Sequence, residues 1–236
     1  MRIGIFGGSF NPVHTDHIAL CEYVKNTLQL DKVLLIPNGQ PPHKNSCHIS
    51  FNDRLSMIRV SDFKNLPYVE ISLIESDESI NHYSLDTLKV LKELYKDDDL
   101  FFCMGLDSLN YLDKWHHGFS LIDYASLVVT GRVGFKVSDA NPPVLEFLKN
   151  HALYKNDPDF SSKIAAKKNY CILLEKEFNS ISSSAVRNEF KALYDNHKLS
   201  DKSYDVFMAD DGYPLCKQYL NSDVIKYILE HHLYSI

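Results

Sequence analysis

Near the start of the chain two histidines stand three residues apart behind a pair of glycines, in Gly7-Gly8-Ser9-Phe10-Asn11-Pro12-Val13-His14-Thr15-Asp16-His17. On a helix, positions 14 and 17 share one face, so both imidazoles can aim at the same point. The glycines let the backbone approach a ligand closely and supply N–H donors. A helix beginning near positions 14–15 adds the partial positive charge of its first turn. Together these features make a compact donor cluster for phosphate oxygens. Two other readings stay open for a His-x-x-His pair taken alone. It can be a coincidental surface pair, or part of a metal site, which for zinc needs a third ligand where only Asp16 is near in sequence. The better-known phosphate loops, G-x-G-x-x-G and G-x-x-x-x-G-K-[ST], do not occur here.

Such a cluster acts only if the fold brings it to a ligand. Residues 2–6 form a short apolar run that ends at the glycine pair and reads as a strand. Apolar positions then recur at helical spacing through Ile18, Leu20, Cys21, Val24 and Leu28. Residues 33–36 are a second apolar run, stopped by Pro37-Asn38-Gly39 and a Pro-rich polar loop. Ser50 and Asp53 fit a capping box for the next helix. A strand over 69–73, an amphipathic helix over 84–95 and strands over 100–104 and 127–129 follow. Later come a strand over 170–174, a helix from the serines 182–184 to about Tyr194, and a closing helix over 223–233. Short buried strands alternating with helices predict an α/β fold, a Rossmann-like doubly wound parallel sheet with helices on both faces. Residues 139–143 and 154–169 read as loops, and 195–215 as an irregular insertion. No repeat, low-complexity tract or long linker divides the chain, so 1–236 is expected to be a single domain. In such a sheet, ligands bind beyond the carboxyl ends of the strands where neighbouring connections diverge, and the histidine turn follows the first strand.

Composition narrows the choice of partner. The 236 residues are 44% apolar and 24% charged, with 25 basic against 31 acidic side chains for a net charge of −6. A chain this long hides roughly 70–75% of its unfolded surface, enough for one sizeable core. The acidic balance argues against a nucleic-acid duplex as partner, since that requires a basic face. It leaves room for a small phosphate-bearing substrate. The five cysteines, Cys21, Cys47, Cys103, Cys171 and Cys216, are odd in number and lack a C-x-x-C, unlike a disulfide framework or a zinc ribbon. No apolar stretch approaches the ~18–20 residues of a membrane span. The first apolar run stops at Phe6, too short for a signal peptide. The expectation is a cytoplasmic protein, with a homo-oligomer left open.

The turn GGSFNPVHTDH resembles the G-G-[ST]-F-[DN]-P-x-H-x-G-H signature of the nucleotidyltransferase superfamily, and specifically of bacterial nicotinate-nucleotide adenylyltransferases. Further blocks follow in the family's order: Pro41-Pro42-His43-Lys44, Asn52-Asp53-Arg54-Leu55 with Met57, and His82-Tyr83-Ser84-Leu85-Asp86-Thr87-Leu88. After these come Met104-Gly105-Leu106-Asp107-Ser108, Trp115, and Ile181-Ser182-Ser183-Ser184-Ala185-Val186-Arg187. The ending His232-Leu233-Tyr234 is also similar. The resemblance implies the nucleotidyltransferase fold and adenylyl transfer from ATP to nicotinate mononucleotide, giving deamido-NAD and pyrophosphate on the way to NAD. That reaction proceeds by in-line attack without a covalent intermediate, so the protein mainly positions two anions and stabilises spreading charge. Mg²⁺ is implied with ATP, bridging its phosphates, with no dedicated protein site.

The resemblance also distributes roles. His14, His17, Lys44 and Arg187 are implied as catalytic, steadying the phosphates. Gly7, Gly8, Ser9, Phe10, Gly105, Asp107, Ile181, Ser182, Ser183 and Ser184 are implied with the histidines and Arg187 around ATP. Asn11, Lys44, Tyr83, Ser84, Thr87, Trp115 and His116 are implied around the acceptor nucleotide. In this scheme Trp115, the only tryptophan, lies flat on the pyridine ring. Its neighbours Lys114, His116 and His117 suggest an exposed turn. The plainer readings are a core tryptophan, an ordinary surface Lys44, an N-capping Asp107 and a capping role for the serines. The first amides of the helix at Tyr83 and Ser84 suit a carboxylate, a physical reason to prefer nicotinate to nicotinamide. The alternatives are nicotinamide mononucleotide or dual acceptor use and, more remotely, a non-catalytic nucleotide sensor. Three departures stand out: Asp16 replaces the glycine between the histidines, Ser184 stands where threonine is usual, and Arg132-Val133-Gly134 lacks the usual proline. On a helix, Asp16 falls about 130° from the midpoint of the two histidines, so its carboxylate is expected to point away from the phosphates.

Overall fold

A computed structural model of the protein describes residues 1–39, 49–166, 168–178, 181–196, 204–209, 212 and 214–235. The strands are β1 (Arg2–Gly8), β2 (Lys32–Pro37), β3 (Val69–Ile71), β4 (Asp99–Gly105), β5 (Ser126–Arg132), β6 (Ala152–Tyr154) and β7 (Cys171–Phe178). They form one sheet in the order β3-β2-β1-β4-β5-β7-β6, with every neighbouring pair parallel. The helices are α1 (Thr15–Leu28), α2 (Phe51–Val60), α3 (Ser84–Leu94), α4 (Leu106–Leu109), α5 (Pro142–His151) and α6 (Phe160–Ala165). The last four are α7 (Ser183–Asn196), α8 (Tyr204–Ala209), α9 (Pro214–Tyr219) and α10 (Ser222–Glu230).

The strands are apolar in successive residues because both sheet faces are covered. On one face Ile3, Ile5, Leu34, Ile36, Phe102 and Met104 pack with Leu88 and Leu91 of α3 and with Val144 and Leu148 of α5. On the other, Phe6, Val33, Leu35 and Cys103 pack with Cys21, Val24 and Leu28 of α1, Met57 and Ile58 of α2, and Phe190 of α7. The capping expected at α2 is present, with Ser50 Oγ accepting the Asp53 N–H at 3.1 Å. From β1 the chain steps through β2 to β3 on one side, and from β4 through β5 on the other. The gap between β1 and β4 is therefore where connections diverge, as an open parallel sheet with a ligand cleft requires.

Several segments expected to be loops are ordered. Pro142 and Pro143 read as a turn but occupy the first turn of α5, where a missing N–H costs nothing. The 139–169 stretch also holds edge strand β6 and the short helix α6. In the expected irregular insertion at 195–215, the described residues include all of α8 and the start of α9. Phe207 is fully buried there, its ring 6.0 Å from that of Phe190, and Cys216, just beyond the insertion on α9, is fully buried too. A helix of six residues is too short to show a period, which is why the sequence pattern missed these elements. The C-terminus is tied back to the front of the molecule: Tyr227 of α10 donates to Asp53 at 3.0 Å, and Tyr234 reaches the turn after β1.

Candidate active site at the β1/β4 divergence

The turn after β1 leads directly into α1, and His14 is the residue that caps it, in extended backbone with only 7% of its surface exposed. His17 sits one turn on, and its Nδ1 accepts the His14 backbone N–H at 3.1 Å. A nitrogen that accepts is unprotonated, so the proton of the neutral ring is on Nε2, making Nε2 the donor. The two imidazole rings lie 3.8 Å apart, as expected for a pair sharing one helix face. Phe10 was expected at the nucleotide, but its side chain is buried, packed under Gly8 with its ring 5.1 Å from that of His17. Asp16 is buried in the first turn of α1, where the helix's positive end favours a carboxylate.

Facing this turn is the start of α7. Ser182 Oγ accepts the Ala185 N–H at 3.2 Å, Ser183 Oγ donates to the Pro12 carbonyl at 3.0 Å, and Ser184 Oγ accepts from Arg187 Nη2 at 2.8 Å. Ser183 spends its O–H on the turn, whereas Ser182 and Ser184 only accept, so their O–H groups keep donor capacity for an anion beside the helix's first amides. Arg187 Nη1 donates to the Asn11 carbonyl at 2.8 Å. Two of its five N–H donors thus fix the guanidinium beside the histidine turn, and the others keep their donor capacity. Half-buried Ile181 packs on the core just before this helix. Asn11 itself is buried, and its side-chain oxygen accepts from Tyr234 Oη at 2.8 Å, which makes it a structural hinge between turn and C-terminus.

Beside the cradle opens a cleft of about 140 Å³ between the ends of β1, β2 and β4. Gly7, Gly105, Glu75, Ser84, Thr87 and Trp115 are among its lining residues. Tyr83 caps α3 as expected and its ring lies 4.4 Å from that of His116, which is exposed. Trp115 lies on a bend, as expected, but is half-buried rather than exposed. Gly105 caps α4, and a side chain there would collide with the Asp107 carboxylate folded back over it. Beyond Leu106 lies a second cleft of about 220 Å³, walled mainly by Val129, Val137, Leu173 and Leu174. Gly8 and Ser9 continue the turn. Lys44 falls outside the described residues; among the described ones the cradle brings together His14, His17, Arg187 and two helix starts.

Three residues to which the sequence reading gave no role carry weight here, although Arg54 and Tyr234 stand inside the motif blocks. Arg54 is 1% exposed and donates through Nη1 to the Ser9 carbonyl at 3.0 Å, bracing the turn from behind. Its signal was a charged residue in the apolar stripe of Phe51, Leu55 and Ile58 on α2. Glu75, 7% exposed, accepts from Thr87 Oγ1 at 2.7 Å inside the cleft. Tyr234 is the third. None of the described thiols is poised as a nucleophile: burial pushes Cys21 and Cys171 up to about 12 and raises Cys103 and Cys216 as well.

Residues 5–189 match the cytidylyltransferase-like family. Among curated proteins, a "Probable nicotinate-nucleotide adenylyltransferase" of Shewanella sp. (strain ANA-3) is 42% identical over 152 residues, 64% of this chain and 71% of that protein. Its counterpart from Shewanella sp. (strain MR-7) is 43% identical over the same shares. Among solved structures, the nicotinic acid mononucleotide adenylyltransferase of Plasmodium falciparum complexed with NaAD superposes with a TM-score of 0.65 at 21% identity. It covers 99% of this chain and 97% of that one. The same enzyme complexed with APC gives 0.64 at the same identity. At that identity the likeness is one of fold.

Proposed function

Because the chain belongs to the cytidylyltransferase-like family, and within it to the nicotinate-nucleotide adenylyltransferases, we propose that it transfers the adenylyl group of ATP to nicotinate mononucleotide. The products are deamido-NAD and pyrophosphate, a step of NAD biosynthesis. The observation that carries the reading is the convergence of two helix starts and the Arg187 guanidinium on the His14–His17 turn. Pentavalent charge at the α-phosphorus needs donors already aimed, because reorienting them during reaction would forfeit their stabilisation. His17 Nε2 and the α1 amides supply donors on one side. Arg187 and the α7 amides hold the departing pyrophosphate on the other, and Ser184 and Asn11 keep the guanidinium from swinging away.

The cleft takes the acceptor, with its ring on Trp115 and its carboxylate at the amides that open α3. The apolar second cleft next to Gly105 and Leu106 suits the flat base of ATP. Among the described residues no three His, Cys, Asp or Glu side chains converge as a metal site. Mg²⁺ is proposed to come with ATP, neutralising its phosphates. No helix among the described residues is long and apolar enough to cross a membrane. Four described cysteines are free and buried, which supports a cytoplasmic setting.

The test is paired: pyrophosphate release with ATP and Mg²⁺ is measured with nicotinate mononucleotide and with nicotinamide mononucleotide. A higher kcat/KM for the nicotinate nucleotide is expected. Turnover on neither acceptor, with a different phosphate ester accepted readily, removes the assignment.

A further inference from the structure

Glu75 is a buried carboxylate in a cleft that must admit anions. It is 7% exposed, its single hydrogen-bond partner among the described residues is the neutral Thr87 hydroxyl at 2.7 Å, and no described lysine, arginine or histidine forms an ion pair with it. An ionised group held in such a place without a cation is costly unless the cation arrives with the ligand. The same cleft is lined by Trp115, whose ring face attracts positive charge. Its volume of about 140 Å³ matches a single six-membered ring with its substituent, so an occupant lies close to both residues.

The acceptor brings such a cation. A pyridine ring joined through its nitrogen to ribose is quaternary and positively charged, and it loses that charge on reduction to the 1,4-dihydropyridine. We infer that Glu75 is the counter-charge for this ring nitrogen, and that it makes the cleft selective for pyridine nucleotides with an oxidised, cationic ring over reduced forms whose ring is uncharged. This rests on the cleft being the acceptor's seat. The arrangement of charge in the cleft then matches a zwitterionic ring: the helix start at Tyr83 and Ser84 faces the ring carboxylate, and Glu75, joined to Thr87 one turn further along α3, faces the ring nitrogen. Because nicotinamide mononucleotide carries the same ring cation, Glu75 sets the redox form of the acceptor while the helix start sets the acid.

Calorimetry of the full chain with nicotinate mononucleotide and with its 1,4-dihydro form tests this without requiring turnover. The wild-type protein is expected to bind the oxidised form at least about tenfold more tightly. In Glu75→Gln, which keeps the shape and the Thr87 contact, the ratio is expected to fall to within about threefold. A wild-type protein that binds both forms equally overturns the inference without any variant, as does a Glu75→Gln protein that keeps the full ratio. If nicotinate mononucleotide does not bind at all while ATP does, the proposed function falls instead.

Discussion

At the phosphate cradle, two bonds of 3.0 Å or less join the first turn to α7, from Ser183 to the Pro12 carbonyl and from Arg187 to the Asn11 carbonyl, and a third ties the Asn11 side chain to Tyr234 at the C-terminus. Behind them Arg54 holds the Ser9 carbonyl. At the neighbouring cleft, Trp115 comes from a bend, Thr87 and Ser84 from α3, and Glu75 from the connection after β3, with one bond of 2.7 Å between Glu75 and Thr87. The cradle is fixed mainly at the backbone carbonyls of Ser9, Asn11 and Pro12, which cannot change rotamer, whereas the cleft is made of side chains from separate segments. The contrast follows the two tasks. Stabilising a transition state rewards rigid, pre-aimed donors, and choosing a substrate rewards a few contacts whose chemistry matches it.

Substitutions in the two halves should therefore split kcat from KM. The largest effect is expected at His17→Ala, which removes a transition-state donor: kcat should drop by about 10²–10³-fold. Steady-state kinetics should show the acceptor KM nearly unchanged. A large rise in acceptor KM with kcat preserved would erase the distinction between the halves. Next is Arg187→Lys, which keeps a charge but loses the fork bonded to Asn11 and Ser184. A drop of about tenfold or more in kcat/KM for ATP is expected, with acceptor binding spared when titrated separately.

In the cleft the pattern should invert. Trp115→Ala loses a stacking face, and acceptor KM should rise about tenfold while kcat changes less. The smallest effect is expected at Tyr234→Phe. Losing one buried hydrogen bond should cost about 1 kcal/mol, seen as a melting temperature lower by roughly 2–4 °C. Because Asn11 also carries Arg187, a slight loss of kcat should accompany it. Unchanged melting would mean that the tie between C-terminus and turn holds nothing in place.

This contrast also explains what the sequence could reveal. The cradle lies largely in contiguous runs, so the resemblance could carry His14, His17 and the serines 182–184 with Arg187 as whole blocks, and the strands feeding them show unbroken apolar runs. Glu75 and Tyr234 act through partners 12 and 223 positions away, and no local pattern marks such a pair. Phe10 and Asn11 sit in the motif, yet only packing separates a residue that touches a ligand from one that braces it. The short helices α8 and α9 and the proline-started α5 were hidden by length and by composition that imitates a turn.

The account depends on one direct displacement at the α-phosphorus, held by fixed donors and involving no nucleophile of the protein. Running the reaction with ATP made chiral at that phosphorus by sulfur substitution, and determining the configuration of the dinucleotide product, tests this most directly. A single in-line attack gives inversion. Retention would mean two displacements through a nucleotidyl-protein intermediate, and the cradle described here would have the wrong chemistry.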